Sequence, residues 1–192
     1  MIRPLLCSSL VRLLLGVDIP YSSCYTTNTV KERSSPMNKT KMICLDMDDT
    51  LNLFYNYPDW LSLLRAEDPA PYAEAEAKWD MKRLAAVLRM LQGAGWEITI
   101  ITWLSKGSSK AYKDVTRQAK RDWLARYGIP YDHFHGVQYG TTKADTVRRS
   151  AYYAVLVDDN KAIRDGWTLG ATIDPNAVDI VKELKKLAKW AV

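Results

Sequence analysis

The sequence predicts an α/β domain of three layers, with helices on both faces of a mainly parallel sheet. From Lys41 onward, short apolar runs alternate with segments of helical period, the order expected of a parallel sheet with crossover helices. The run Met42-Ile43-Cys44-Leu45 is apolar throughout rather than alternating, as in a strand buried on both faces. It stops on acids, Asp46-Met47-Asp48-Asp49, as a central strand does where it opens into a functional loop. The chain has 192 residues, 47% hydrophobic and 26% charged, which suits one decorated domain and excludes a wholly disordered or fibrous chain.

Residues 1–36 stand apart. They lack the periodicity of the rest and end in Lys31-Glu32-Arg33-Ser34-Ser35-Pro36. Their Leu-rich stretch from Pro4 to Val17 is interrupted by Arg12, too short to span a bilayer, and followed by no small-residue cleavage site. Three readings stay open: an over-extended reading frame with the true start at Met37, a targeting segment, or an ordered extension. The net charge is +5, of which Arg3, Arg12, Lys31 and Arg33 against Asp18 and Glu32 account for two. The remaining charge suits anionic substrates but is far from the basicity of a dedicated nucleic-acid-binding protein. Cys7, Cys24 and Cys44 form neither a disulfide framework nor a zinc spacing, so a reducing cytoplasm is the expected home, with no part embedded in a membrane.

The elements follow in order. After the first strand, residues 52–80 are rich in aromatics, prolines and acids, and are expected to form a small cap insertion with one helix from Asp59 to Arg65, capped by Asp59. Met81, Leu84, Val87, Leu88 and Leu91 recur at helical spacing until Gly93 and Gly95, and a strand spans Glu97 to Ile101. A helix over 109–127 is expected to bury Tyr112, Val115, Ala119, Trp123 and Tyr127, with Lys110, Lys113, Arg117, Lys120 and Arg121 as a solvated stripe opposite. A strand at 134–139, a helix at 142–149, a strand at 154–157, a helix at 162–169, a short strand at 171–173 and a closing helix at 176–190 complete one doubly wound sheet.

Ligands of such sheets bind beyond the carboxyl ends of the strands. The loop beginnings there supply Asp46 to Thr50, Thr102, Lys143 and Asp158-Asp159. Carboxylates so crowded repel one another unless a hard cation such as Mg²⁺ joins them through oxygen ligands and shares the charge of a phosphate. One carboxylate can then attack phosphorus, and a second, two residues on, can pass protons to and from the leaving oxygen and water. Asp46 and Asp48 have that spacing. A lysine and a threonine hydroxyl suit the phosphoryl oxygens.

The run Ile43 to Leu51 resembles the first motif of the haloacid dehalogenase (HAD) superfamily, a hydrophobic strand followed by DxDx(T/V). Thr102, Lys143 and Val155-Leu156-Val157-Asp158-Asp159 are similar to its second, third and fourth motifs, in the family's order, over residues 40 to 175. The resemblance implies a Rossmann-like HAD domain at 37–192 and a Mg²⁺-dependent phosphatase. Asp46 would be nucleophile and metal ligand, and Asp48 acid/base with its backbone carbonyl on the metal. Thr102 and Lys143, with Thr50, would bind phosphate, and Asp159 would be the chief fourth-motif ligand with Asp158 assisting. Asp49 stands where many members have Gly. The short aromatic cap resembles that of small deoxyribonucleotidase-type members, which implies a nucleotide substrate; the alternatives are a polynucleotide-end phosphatase and a non-catalytic phosphate-binding protein of the same fold. Lys106-Gly107-Ser108-Ser109-Lys110 lacks P-loop spacing, and His133 and His135 have no evident third partner for a metal.

Overall fold

The computed structural model describes residues 39–190; the N-terminal segment and its alternative readings lie outside them. Five strands, β1 (Thr40–Leu45), β2 (Trp96–Trp103), β3 (His133–Val137), β4 (Ala151–Val157) and β5 (Thr172–Ile173), form one parallel sheet in the order β3-β2-β1-β4-β5. The most apolar strand is central because both its faces are covered. Ile43 and Leu45 point into one core with helix α3 (Met81–Gly93), Trp123 and Leu124 of α4 (Lys110–Arg126), and Ile180 and Leu184 of α7 (Ile180–Leu187). Met42 and Cys44 point into the other, against Ala144 and Val147 of α5 (Lys143–Val147), with Ile163 of α6 (Lys161–Asp165) packed at its margin. The period-two alternation of a strand thus feeds two cores and makes three layers. Each such Leu or Ile, once buried, contributes about 1.5–3 kcal/mol.

The chain leaves β1, winds outward through β2 and β3, then crosses back to place β4 on the other side of β1. The reversal lies between β1 and β4, so the loops that follow these two strands open the crevice where such sheets bind ligands. Asp46 begins one loop and Asp158 the other, and the Asp46 amide donates to the Val157 carbonyl at 3.0 Å.

The insertion is closed at its base by an antiparallel bridge between Asn52 and Ala77, reinforced by Leu53 N–H to Glu76 O at 2.8 Å and Lys78 N–H to Leu51 O at 2.9 Å. It holds a 3₁₀ turn at Phe54–Asn56 and two helices, α1 (Trp60–Arg65) and α2 (Ala70–Glu74), the second unforeseen in its proline-rich surroundings. Phe54 and Tyr72 bury themselves against Tyr112 of α4. Asp59 does not cap α1 with its side chain: it adopts φ 53°, a left-handed conformation from which no capping bond is made. Asp80 caps α3 instead, accepting from the Arg83 amide.

Helix α4 buries Tyr112 and Trp123 as expected, and Ala119 and Tyr127 pack at the margins of the cores, but Val115 is 48% exposed and Thr116, Lys120 and Leu124 are buried. Lys120, expected in the solvated stripe, is fully buried.

Candidate active site

Asp46, Asp48, Lys143, Asp158 and Asp159 line one cavity of about 430 Å³ between the strand ends and the insertion. The first loop coils immediately, with the amides of Thr50, Leu51 and Asn52 all donating to the Met47 carbonyl. That coil needs a left-handed residue, supplied by Asp49 at φ 56°, one of the few side chains that tolerate it and a place where glycine serves equally. Its carbonyl accepts from Lys78 Nζ at 2.7 Å.

Lys143, 3% exposed, joins the two loops. Its ammonium lies 2.8 Å from Asp46 Oδ1 and 2.7 Å from Asp158 Oδ2. Burial pulls its pKa down, but Asp46 and Asp158 outweigh that and hold it above the ordinary lysine value. Burial pushes the Asp158 carboxyl up to about 6, with Asp46 adding to the rise and Lys143 opposing it. Asp159 is raised as well, by burial and then by Asp46. Crowded carboxylates with raised affinity for protons are the electrostatic signature of a place that wants a cation.

The donor set suits one. Asp46, Asp158 and Asp159 each present a carboxylate oxygen, all within 4.8 Å of one another, and hard oxygen donors are what Mg²⁺ takes. Asp158 already has both oxygens engaged, by Lys143 and by the Asn160 amide at 2.9 Å, so Asp46 and Asp159 are the freer ligands. Arg164 shapes this loop from below, donating to the carbonyls of Asp158 and Asp159 at 2.7 and 2.6 Å and pairing with Asp174. No motif or period in the sequence pointed to Arg164.

Two expected phosphate ligands are placed differently. Thr102 is fully buried, and its Oγ1 accepts from Lys120 Nζ at 2.7 Å instead of opening to the cavity. Thr99, on the same strand, faces the other core, with its hydroxyl on Met42. Thr50 ties the two acidic loops together: its hydroxyl accepts from the Asp159 amide at 3.0 Å and approaches Asp159 Oδ1 at 3.2 Å. Asp48 stands apart from the three carboxylates that could hold a cation, its Oδ2 2.6 Å from Lys120 Nζ. Burial pushes its carboxyl up to about 6, with Lys120 opposing.

No protein-family model and no curated protein sequence matches the chain. Among solved structures, it is similar to a chain of a Pnkp1/Rnl/Hen1 complex, with 18% identity over 71% of this chain and 45% of that one at a TM-score of 0.49. It therefore spans less than half the length of that relative. It is also similar to a HAD-like phosphatase of Mesorhizobium loti, with 14% identity over 80% of this chain and 88% of that one at a TM-score of 0.49. A third likeness is to D,D-heptose 1,7-bisphosphate phosphatase of Burkholderia thailandensis, with 13% identity over 77% and 98% of the two chains at a TM-score of 0.48. At these values the weight of a functional reading falls on the site itself.

Six aromatic residues also line the cavity. Phe54, Tyr55, Trp60 and Tyr72 come from the insertion, and Trp103 and Tyr139 from the sheet side. Trp103 and Tyr139 lie 4.7 Å apart between ring centroids, and Lys106 Nζ sits 5.7 Å above Tyr139. Tyr55 and Tyr139 are 51% and 50% exposed, so flat apolar faces meet solvent at the mouth.

Proposed function

We propose that this chain is a Mg²⁺-dependent phosphomonoester hydrolase of HAD type that works through an aspartyl-phosphate on Asp46. The observation that carries the reading is Lys143 bridging Asp46 and Asp158 on the cavity wall, with Asp159 close enough to complete a cation site. The ammonium beside Asp46 is at hand for the phosphoryl oxygens as they approach. Mg²⁺ held by Asp46, Asp159 and Asp158 would supply charge to offset that of the phosphate and help orient it. An Asp46 carboxylate oxygen attacks phosphorus, the bond to the leaving oxygen breaks, and Asp48 delivers the proton that oxygen needs. Water then attacks the aspartyl-phosphate, gives its proton to Asp48, and releases phosphate with Asp46 restored.

The substrate is inferred to be a nucleotide. Tyr139 and Tyr55 present exposed ring faces beside the acids, with the half-buried Trp103 against Tyr139, and stacking on a base is worth about 1–3 kcal/mol per base in nucleic-acid-binding proteins. A polynucleotide end is the second reading, favoured by Arg65 and Lys106, which line the same cavity and have no carboxylate partner among the described residues.

The test is phosphate release by the full chain from an aryl phosphate, from nucleoside monophosphates, and from oligonucleotides phosphorylated at either end, each with Mg²⁺ and with a chelator. Mg²⁺-dependent release, lost in Asp46→Asn, is expected, with nucleoside monophosphates preferred over the aryl phosphate and the oligonucleotides. Binding without release across the panel would make the protein a phosphate-ligand-binding member of the fold. A preference for oligonucleotides that falls steeply with salt would select the second reading, since each phosphate contacted releases counterions.

A further inference from the structure

Lys120 is an unusual lysine. It sits in the middle of a 17-residue helix, is 0% exposed, and directs its ammonium at a group 72 positions away in sequence. Its three N–H directions are accounted for by three partners. Asp48 Oδ2 lies at 2.6 Å, Thr102 Oγ1 at 2.7 Å, and the ring of Tyr72, from the insertion, has its centroid at 4.7 Å. A buried ammonium with that many fixed neighbours has one position. The other Asp48 oxygen, Oδ1, is buried and has no hydrogen-bond partner.

We infer that Lys120 is a positioning residue for proton transfer: by holding Asp48 through Oδ2 it fixes the direction in which the Asp48 carboxyl meets the leaving group and water. This rests on the phosphatase reading and adds to it a residue that touches neither phosphate nor metal. When the P–O bond breaks, the Asp48 proton passes to the leaving oxygen to give the alcohol. When water attacks the aspartyl-phosphate, its proton returns to Asp48. Tyr72 and Thr102 fix the ammonium from two further sides, so the insertion and strand β2 both help set the direction of Asp48.

The test uses two phosphates that differ in their need for an acid. Dinitrophenolate leaves without a proton, and benzyl alcohol does not. Because kcat/KM reports only steps through the first irreversible one, phosphorylation of Asp46, the comparison is independent of later water attack. In the full chain with Mg²⁺, Lys120→Met is expected to lower kcat/KM for benzyl phosphate by about 100-fold or more, the usual scale of general-acid catalysis, and for dinitrophenyl phosphate by less than about tenfold. An equal fall on both substrates would overturn the inference, because a merely structural role does not distinguish leaving groups. Lys120→Met leaves Asp48 buried without its partner, so the double variant Asp48→Asn/Lys120→Met is measured beside Asp48→Asn. Lys120→Met is expected to add nothing to the benzyl phosphate loss in that background; a further tenfold loss would also overturn the inference. Silence of the wild type on both phosphates would instead remove the phosphatase reading, and this inference with it.

Discussion

Lys143 neutralises two buried carboxylates at once, which makes it the most exposed point of the site's energetics. Lys143→Met would leave Asp46 and Asp158 facing each other without a cation, and removing one partner of a buried pair costs about 3–5 kcal/mol. Urea unfolding without metal should show a loss of that size, and Mg²⁺ should restore part of it. His135 offers a test remote from the chemistry. Burial, and then His133 beside it, hold its imidazole below the ordinary histidine value. A folded pKa under the unfolded value of about 6.5 means that the folded state binds fewer protons, so stability is full above that pH and declines as pH falls from it toward the folded value. An NMR titration of His135 in the folded chain should give a midpoint below that of a model peptide, and His135→Gln should flatten stability between pH 7.5 and about 5.5. At this scale Asp46, Asp48, Asp158 and Asp159 could be singled out because two acid clusters follow two dry strands of one sheet, whereas either cluster alone would serve as well as a turn or helix cap. Lys120 and Arg164 were not, since their meaning lies in partners elsewhere: Asp48 for one, the carbonyls of Asp158 and Asp159 for the other.

Helix α4 is the element on which the insertion is fastened. Tyr112 donates to the Asp68 carbonyl at 2.8 Å, Trp123 Nε1 to Ala75 O at 2.7 Å, Arg126 to Ala73 O at 2.9 Å, and Glu67 accepts from the Ser109 amide and hydroxyl. These bonds run along most of the helix and hold the aromatic wall of the cavity in place. They also explain where hydrophobic periodicity fell short. A face that meets backbone carbonyls and a carboxylate buries Thr116 and Lys120 beside Tyr112 and Trp123 while Val115 stays exposed, and counts of apolar residues cannot register that exchange. The β strands, read from apolar runs and their punctuation, lie within a few residues of their expected spans because their partners are nonpolar. Between β4 and β5 the backbone itself is tight. Gly170 has φ 154°, and a Cβ there would lie 2.6 Å from the Ala154 carbonyl. Gly170→Ala should therefore cost about 1–3 kcal/mol, the range for overpacking, and accelerate amide exchange at Leu156 and Asp158, which bond to Ala171 and Ile173. An unchanged melting temperature and exchange rate would contradict this packing.

At the scale of the molecule, the sheet brings loops more than 100 positions apart together at its reversal of strand order, and Thr50 with Asp159 is the seam. The three-layer architecture and the place of the crevice could be read from the alternation of dry strands and periodic helices; the cavity's aromatic lining could not be placed until residues 54–72 and Tyr139 were seen to share it. A folded chain that gathers Asp46, Asp158 and Asp159 should be stabilised by the ion they suit. With free Mg²⁺ at 100 times its Kd, the gain is about 2.7 kcal/mol. Thermal unfolding should therefore shift upward with Mg²⁺ and return with chelator, and Asp159→Asn should shrink the shift while leaving the sheet intact. The most direct test of the whole account is to mix the Mg²⁺-loaded chain with an aryl phosphate, quench in acid during turnover, and locate phosphate by peptide mass spectrometry. A phosphoryl group on Asp46 is the predicted result. Turnover with phosphate on another residue, or with none trapped on Asp46 even when Asp48→Asn slows the second step, would contradict it.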